Sequence, residues 1–465
     1  MGGIGKKIFK NGAASLYGFA LTIASQLCVV PVFIHAWGKF RYGEWLVLTS
    51  VPSYFALADV GFGQVASNKM TMLHAEKDSR GVTEVLHTMW LFQTVLGAVL
   101  LAAGAAIFLT LPWAAWLGLH AWTEPRAHRA LLGLLVYVLI NMQSQGYAAV
   151  YRAGEQFARS IAISNTGRLL ELVVMLCLVA EGEPEITVIV GMIACRAGLL
   201  GFYQYDTRRR VKDLAVGFSA ASRRQFAALI RPGVGHFGLG ISQGFQLQGV
   251  TLVINKVLGA EAVTIFTVSR TLTRIPLQVM NLVNGAVYPE FGRVSTGANL
   301  EKAREIHRIM AQISFWAALP VAAAAVTFGP RAIHAWTLGQ VEVGRLLLLV
   351  LNLSVIVNLL WNSSSIVLSS TNRHATLGSL YALLSIAALA VTYFLTRWVG
   401  IVGPAFTLTA VETAMAIYVV PRSCRAVHDS MRAMLADVVT VSTFRKHLAL
   451  YLKTAAKYGR GAIRP

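Results

Sequence analysis

Charge is scarce in this chain. Asp, Glu, Lys and Arg make up 13% of its 465 residues, against roughly 25% in soluble domains. With 55% hydrophobic residues and a mean hydropathy of +0.58, that shortage excludes a soluble globular protein, and it excludes disorder. Cysteine is scarce too: Cys28, Cys177, Cys195 and Cys424 make no C-x-x-C pair, and three of them fall in apolar runs. Neither a disulfide framework nor a cysteine metal site is expected. Catalytic signatures are missing: there is no G-x-x-x-x-G-K-[ST], no G-x-S-x-G and no H-E-x-x-H. Connections between apolar runs barely exceed 20 residues, too short for a soluble domain of about 50 residues or more. No catalytic residue, metal or cofactor is expected.

What is present is apolar length. Twelve apolar segments occupy 13–36, 43–67, 83–112, 129–151, 160–180, 186–205, 226–257, 260–292, 305–328, 341–368, 374–397 and 400–420. A membrane helix takes about 20 such residues. Backbone groups in hydrocarbon need internal partners, so helices are the default, and no alternating ten-residue strands suggest a barrel. The expected fold is all-α: a polytopic membrane protein with twelve transmembrane helices. Lys6, Lys7 and Lys10 precede the first run, which continues to Trp37. That is too long for a signal-peptide core, so it is expected to be an uncleaved first membrane helix.

The net charge of +20 is explained by topology. If the N-terminus is cytoplasmic, thirty of the 41 basic residues lie on the inner side, eight lie on the outer side and three lie within segments. Inner connections collect Lys and Arg, so both termini are expected in the cytoplasm, and nucleic acid is not an expected partner. The acidic connection with Glu181, Glu183 and Glu185 falls outside, and tryptophans including Trp37, Trp45, Trp122 and Trp398 stand at outer ends as an interfacial belt would.

The longest inner connection, about 206–225, divides the segments six and six. Residues 26–45 and 247–266 echo one another in pattern, with Gly38 falling on Gly259 and Trp45 on Phe266. The expected organisation is a six-helix lobe at 1–215, a second at 216–430, and a basic amphipathic tail at 431–465 lying on the inner leaflet.

Ionisable residues inside apolar segments mark function, since each Arg or Asp at mid-membrane costs about 2.5–3.5 kcal/mol on insertion scales. Arg270 and Arg274 stand four residues apart, on one helix face. They either face an anion-binding cavity or pair with acids and carbonyls. Arg196 has Glu171 as a candidate partner, but Arg168, one turn before Glu171, competes for it. His236 is either a proton-sensitive cavity group or a hydrogen-bonded packing residue. Asp59, in the run ADVGFGQ, is either a cap beside a glycine-rich bend or a coupling group; Glu412 and Glu290 are similar. Amides such as Gln246, Asn281, Asn284, Asn352, Asn358 and Asn362 either glue helices together or line a polar central cavity.

The run VPVFIHAWGKFRYGEWLVLTSVPSYFALADVGFGQVASNKM, with Pro31, Gly38, Gly43 and Asp59-x-Gly61, resembles the opening hairpin of Wzx-type polysaccharide flippases. These form the polysaccharide-transporter branch of the MOP superfamily, which also holds MATE exporters and lipid II flippases. INKVLGAEAVTIFTVSRTLTRIPLQVMNLVNGAVYPEFGRV, with Pro289 near its end, resembles the family's seventh and eighth helices. The resemblance implies two six-helix bundles around a central cavity, rocking between inward- and outward-open states. It implies a substrate of lipid-linked oligosaccharide, usually on undecaprenyl pyrophosphate, with Arg270 and Arg274 holding the phosphates and Arg196 assisting. Membrane lipids, and the polymerase and glycosyltransferases of the same pathway, are the candidate partners. Two rivals stand beside it: a MATE-like exporter of small cations, which wants buried carboxylates, and a membrane-embedded polymerase or acyltransferase, which wants a large outer loop or a catalytic His.

Overall fold

The structure, a computed structural model, describes residues 3–59, 61–211, 214, 216–295, 300–370 and 374–442. Among these residues every regular element is helical. Their contacts form two compact units, Gly2–Thr264 and Ile265–Pro465.

The first unit runs through α1 (Gly3–Ser53), α2 (Phe62–Ala75), α3 (Ser79–Thr110), α4 (Trp113–Leu117), α5 (Glu124–Ala153), α6 (Phe157–Ala180), α7 (Glu185–Arg210), α8 (Arg223–Gly244), α9 (Val250–Leu258) and the start of α10 (Ala260–Thr273). A 3₁₀ stretch, Tyr54–Asp59, joins α1 to α2, and a π-helical turn, Phe245–Gly249, joins α8 to α9. The second unit holds α11 (Ile275–Ser295), α12 (Leu300–Thr327), α13 (Gly329–Trp336), α14 (Arg345–Ser370), α15 (His374–Val399), α16 (Val402–Ala426) and α17 (Met431–Val439).

Most of the length of the apolar segments lies on these helices. Eight helical runs among the described residues are long and apolar enough to cross a membrane. The first of them, Ala14–Ala75, is 62 residues long, and a straight helix of that size would reach roughly 93 Å at 1.5 Å per residue. Gly38 interrupts it with φ 73° and ψ 164°, and the chain doubles back. The rings of Phe33 and Trp45 come within 6.1 Å, and those of Trp37 and Trp45 within 5.6 Å. Trp37, Trp45 and Trp122 are therefore buried at this corner instead of facing an interface; Trp116 and Trp398 are exposed as an interfacial belt requires.

The connections assigned to one membrane side by charge meet in the first unit. Glu185, at the start of α7, binds both Arg41 and Arg126, whose guanidinium groups lie over Trp37 and Trp122. Lys39 pairs with Glu261 at 2.9 Å, Thr264 donates to the Lys39 carbonyl at 2.7 Å, and Asn255 donates to the Leu117 carbonyl. These bonds tie residues up to Thr264 to the first unit, so contacts divide the chain later than position 215. Helices pack closely where side chains are small: a Cβ at Gly133 in α5 would come within 2.7 Å of Ile189 in α7.

In the second unit, Met434 and Val438 of α17 are buried, and α17 is pinned to α12. Arg308 forks onto Asp429 and reaches Asp437. Gln312 and Trp316 donate to the carbonyls of Asp437 and Val438 at 2.6 and 2.8 Å. Met434 and Val438 are covered because α12 offers donors spaced one turn apart to the end of α17, while Met431 and Val439 stay exposed. The basic residues from Lys446 onward lie outside the described residues.

Candidate functional site

In the first unit, Arg196 of α7 and Glu171 of α6 are both buried and form an ion pair, Nε to Oε2, at 2.6 Å. The Tyr137 hydroxyl of α5 donates to Glu171 Oε1 at 2.6 Å, and the Arg196 guanidinium sits 5.5 Å from the Tyr137 ring centroid. Glu171 is thus taken by Arg196 and not by a local bond to Arg168. Arg168 and Arg196 share a cavity of about 310 Å³ with Thr22, Ser25 and Glu171. Two guanidiniums face one carboxylate there, an excess of positive charge suited to an anion.

Asp59 ends the 3₁₀ stretch just ahead of Gly61, whose φ of 68° opens α2. It is half-buried and receives the Gln93 amide at 3.4 Å. Its observed neighbourhood is a capping bend, with no basic partner among the described residues. Gln246 is buried inside the π-helical turn. His236 falls in α8, and its side chain lies outside the described residues.

In the second unit, Arg270 is buried, 5.6 Å from the Phe266 ring centroid. Arg274 occupies the joint between α10 and α11. Its N–H bonds to the Arg270 carbonyl at 3.1 Å, so the two arginines are one helical turn apart. Pro276 follows in the first turn of α11, where a missing backbone N–H is tolerated. Glu412 of α16 is buried and accepts from Asn358 and Trp361 of α14, each at 2.7 Å, and from Tyr381 of α15 at 2.9 Å. This carboxylate lies in the electrostatic field of Arg274, yet its hydrogen bonds come from neutral donors. Asn281 accepts from Asn362 at 3.1 Å, and Asn284 is half-buried with an unbonded Oδ1 among the described residues.

Sequence reasoning missed Tyr137, Trp361 and Tyr381. The available signal was that an isolated Glu in an apolar run needs donors, but the donors come from helices remote in sequence. Beside Asn362 on α14, Ser363, Ser364 and Ser365 donate to carbonyls of their own helix. Glu290 falls in α11, and its side chain lies outside the described residues. Among the described residues no group of three His, Cys, Asp or Glu could hold a metal.

Residues 41–340 match the polysaccharide biosynthesis protein family. The chain belongs to that family. No curated protein matches it. Solved structures show the fold. The inward-facing conformation of a multidrug resistance MATE family transporter of the MOP superfamily has a TM-score of 0.66 at 16% identity, covering 89% of this chain and 94% of that one. The outward-facing conformation of a multidrug resistance MATE family transporter has 0.63 at 14%, covering 91% and 96%. A MOP superfamily transporter from Pyrococcus furiosus Vc1, described with a binding pocket of reverse polarity, has 0.63 at 13%, also covering 91% and 96%. This member of the polysaccharide biosynthesis family is a multi-pass membrane protein with the transporter fold of the MOP superfamily.

Proposed function

We propose that this protein is a flippase that carries a lipid-linked oligosaccharide repeat unit, on undecaprenyl pyrophosphate, across the bacterial plasma membrane by alternating access. The product feeds surface polysaccharide synthesis. The observation that carries the reading is the pair Arg270 and Arg274, one turn apart, with the nearby Glu412 carboxylate engaged by three neutral donors. Pyrophosphate needs fixed cations in a low-dielectric setting, and guanidinium forks suit its oxygens. Arg196 supplies a further cation, while Gln246, Asn281 and Asn284 offer amides to sugar hydroxyls. His236 stays a candidate cavity group, and Asp59 and Glu171 are assigned structural or coupling roles. The charge bias supports both termini in the cytoplasm, and the internal echo supports two repeats, 1–215 and 216–430, followed by the tail. Membrane lipids and the pathway's polymerase and glycosyltransferases are the proposed partners.

An exporter of small cations shares this fold, but it calls for buried carboxylates free to meet a cation. In the P. furiosus transporter, reversed pocket polarity suggests a different function, and the same reasoning favours an anionic substrate here. The test is deletion of the gene followed by profiling of lipid-linked oligosaccharides, with add-back of wild type or Arg270→Ala. A complete, unpolymerised unit trapped in the inner leaflet and cleared only by wild type supports the flippase. Accumulation in the outer leaflet points to a polymerase, and an unchanged lipid pool points to a small-molecule exporter.

A further inference from the structure

We propose that the first unit contains a monosaccharide-binding pocket, built by Trp90, Tyr147, Gln204, Arg208 and Phe218, that recognises one sugar ring of the transported substrate. The inference rests on the flippase reading and adds to it a site for the sugar, separate from the arginines assigned to the phosphates. A cavity of about 300 Å³ opens where α3, α5 and the last turns of α7 meet the segment after α7. Ligand pockets run from about 300 to 1,000 Å³, so this one has room for a single ring and not for an oligosaccharide or a prenyl chain.

Its walls have two chemistries. The Trp90 and Tyr147 rings meet edge to face, with centroids 4.9 Å apart at 70°. Tyr147 stacks on Tyr203 at 5.8 Å and 8°, and Tyr203 leans on Tyr151. Tyr147 is 3% exposed, yet its hydroxyl has no hydrogen-bond partner among the described residues. The hydroxyl itself is not among the buried partnerless atoms, as expected for a group that opens on the cavity. Gln204 and Arg208 are exposed, and their side chains make no hydrogen bond among the described residues. The far wall is held by α3: Ala220 N–H donates to His87 Nδ1 and Ser222 N–H to Thr88 Oγ1, each at 3.0 Å. The pocket is formed before any ligand arrives.

A pyranose is complementary to these walls. It has an apolar C–H face for the aromatic rings and a rim of hydroxyls that both donate and accept. A phenol and an amide also do both, and a guanidinium can fork onto neighbouring hydroxyls. A pyrophosphate would find one cation here and gain nothing from three aromatic rings. By the charge assignment, the Arg208–Arg210 end faces the cytoplasm, the side from which a flippase is loaded.

The test uses the full-length protein in nanodiscs and two probes: undecaprenyl pyrophosphate, and the lipid-linked oligosaccharide pool extracted from a strain lacking the gene. Wild type is expected to bind the glycosylated probe at least ten-fold tighter. Tyr147→Phe and Gln204→Ala are expected to cut that preference three- to ten-fold and to leave binding of the sugar-free lipid unchanged. The emission of Trp90, taken as the difference between wild type and Trp90→Phe, is expected to shift with the glycosylated probe alone. Variants that keep the wild-type preference overturn the pocket, as do variants that lose both probes equally or a Trp90 signal that ignores the sugar. A wild type that binds both lipids equally overturns the pocket and leaves the flippase reading standing; one that binds neither overturns both.

Discussion

Gly38 and Gly259 adopt the same unusual backbone conformation, φ 73° and ψ 164° at the first and φ 86° and ψ 176° at the second. Each follows a membrane-length helical stretch and opens the return helix of a hairpin, and they are the two positions that the internal echo superposes. An L side chain rarely enters this region, and its cost there is about 1–3 kcal/mol. The shared torsions support two copies of one hairpin design more strongly than the diffuse similarity of the surrounding residues does.

Gly38→Ala and Gly259→Ala are therefore expected to destabilise the protein, each by about 1–3 kcal/mol. A Cβ at either position meets nothing within 4 Å, so the cost is conformational and not a clash. Gly97→Ala, also in open space but inside α3, is the control and gains up to about 1 kcal/mol of helix propensity. Thermal unfolding in detergent, followed by size-exclusion fluorescence, measures all three. Equal melting temperatures across the set would refute the strained hairpin corner.

Glu171 holds a buried guanidinium, and the two partners are expected to behave as a unit. Glu171→Leu leaves Arg196 uncompensated, and breaking a buried pair this way costs about 3–5 kcal/mol. Combining Glu171→Leu with Arg196→Met removes both charges and is expected to recover most of that loss. The double-mutant cycle is read from unfolding midpoints. Additive losses would mean that the 2.6 Å contact contributes no coupling.

Legibility in the sequence followed the physics of the solvent. Hydrocarbon forces the backbone into helices, so the apolar runs 83–112, 160–180 and 186–205 anticipate α3, α6 and α7 within a few residues at most ends. The four-residue spacing of Arg270 and Arg274 was enough to place them on one helix turn. Side-chain partners were hidden because they come from elsewhere in the chain: Tyr137 is 34 residues from Glu171, and Trp361 is 51 from Glu412. The docking of α17 was hidden too, because an amphipathic helix has the same pattern whether a leaflet or α12 covers its apolar face.

Arg270→Ala and Arg274→Ala are each expected to abolish surface polysaccharide while leaving protein abundance in the membrane unchanged. Lysine at either position keeps the charge but loses the fork, so Arg270→Lys and Arg274→Lys are expected to retain partial export. Polysaccharide is measured on whole cells and protein by immunoblot of membranes. Normal polysaccharide in both alanine variants would remove these residues from the substrate path.

Asp429 allows a prediction about pH. Burial pushes its carboxyl up, but the Arg308 fork and the Ser430 N–H outweigh that and hold it below the usual carboxylate range. A depressed carboxylate contributes its full stability above its unfolded pKa, about 3.9, and loses it as pH falls through the lower folded value. Docking of α17 is therefore expected to be flat from pH 5 to 8. Hydrogen exchange of residues 428–439, corrected for intrinsic rates, checks this. Arg308→Lys cannot fork onto Asp429 while holding Asp437, so it is expected to speed tryptic cleavage after Arg432 at least ten-fold at pH 8. A docking transition between pH 5 and 8 would remove the Arg308–Asp429 pair as the clamp.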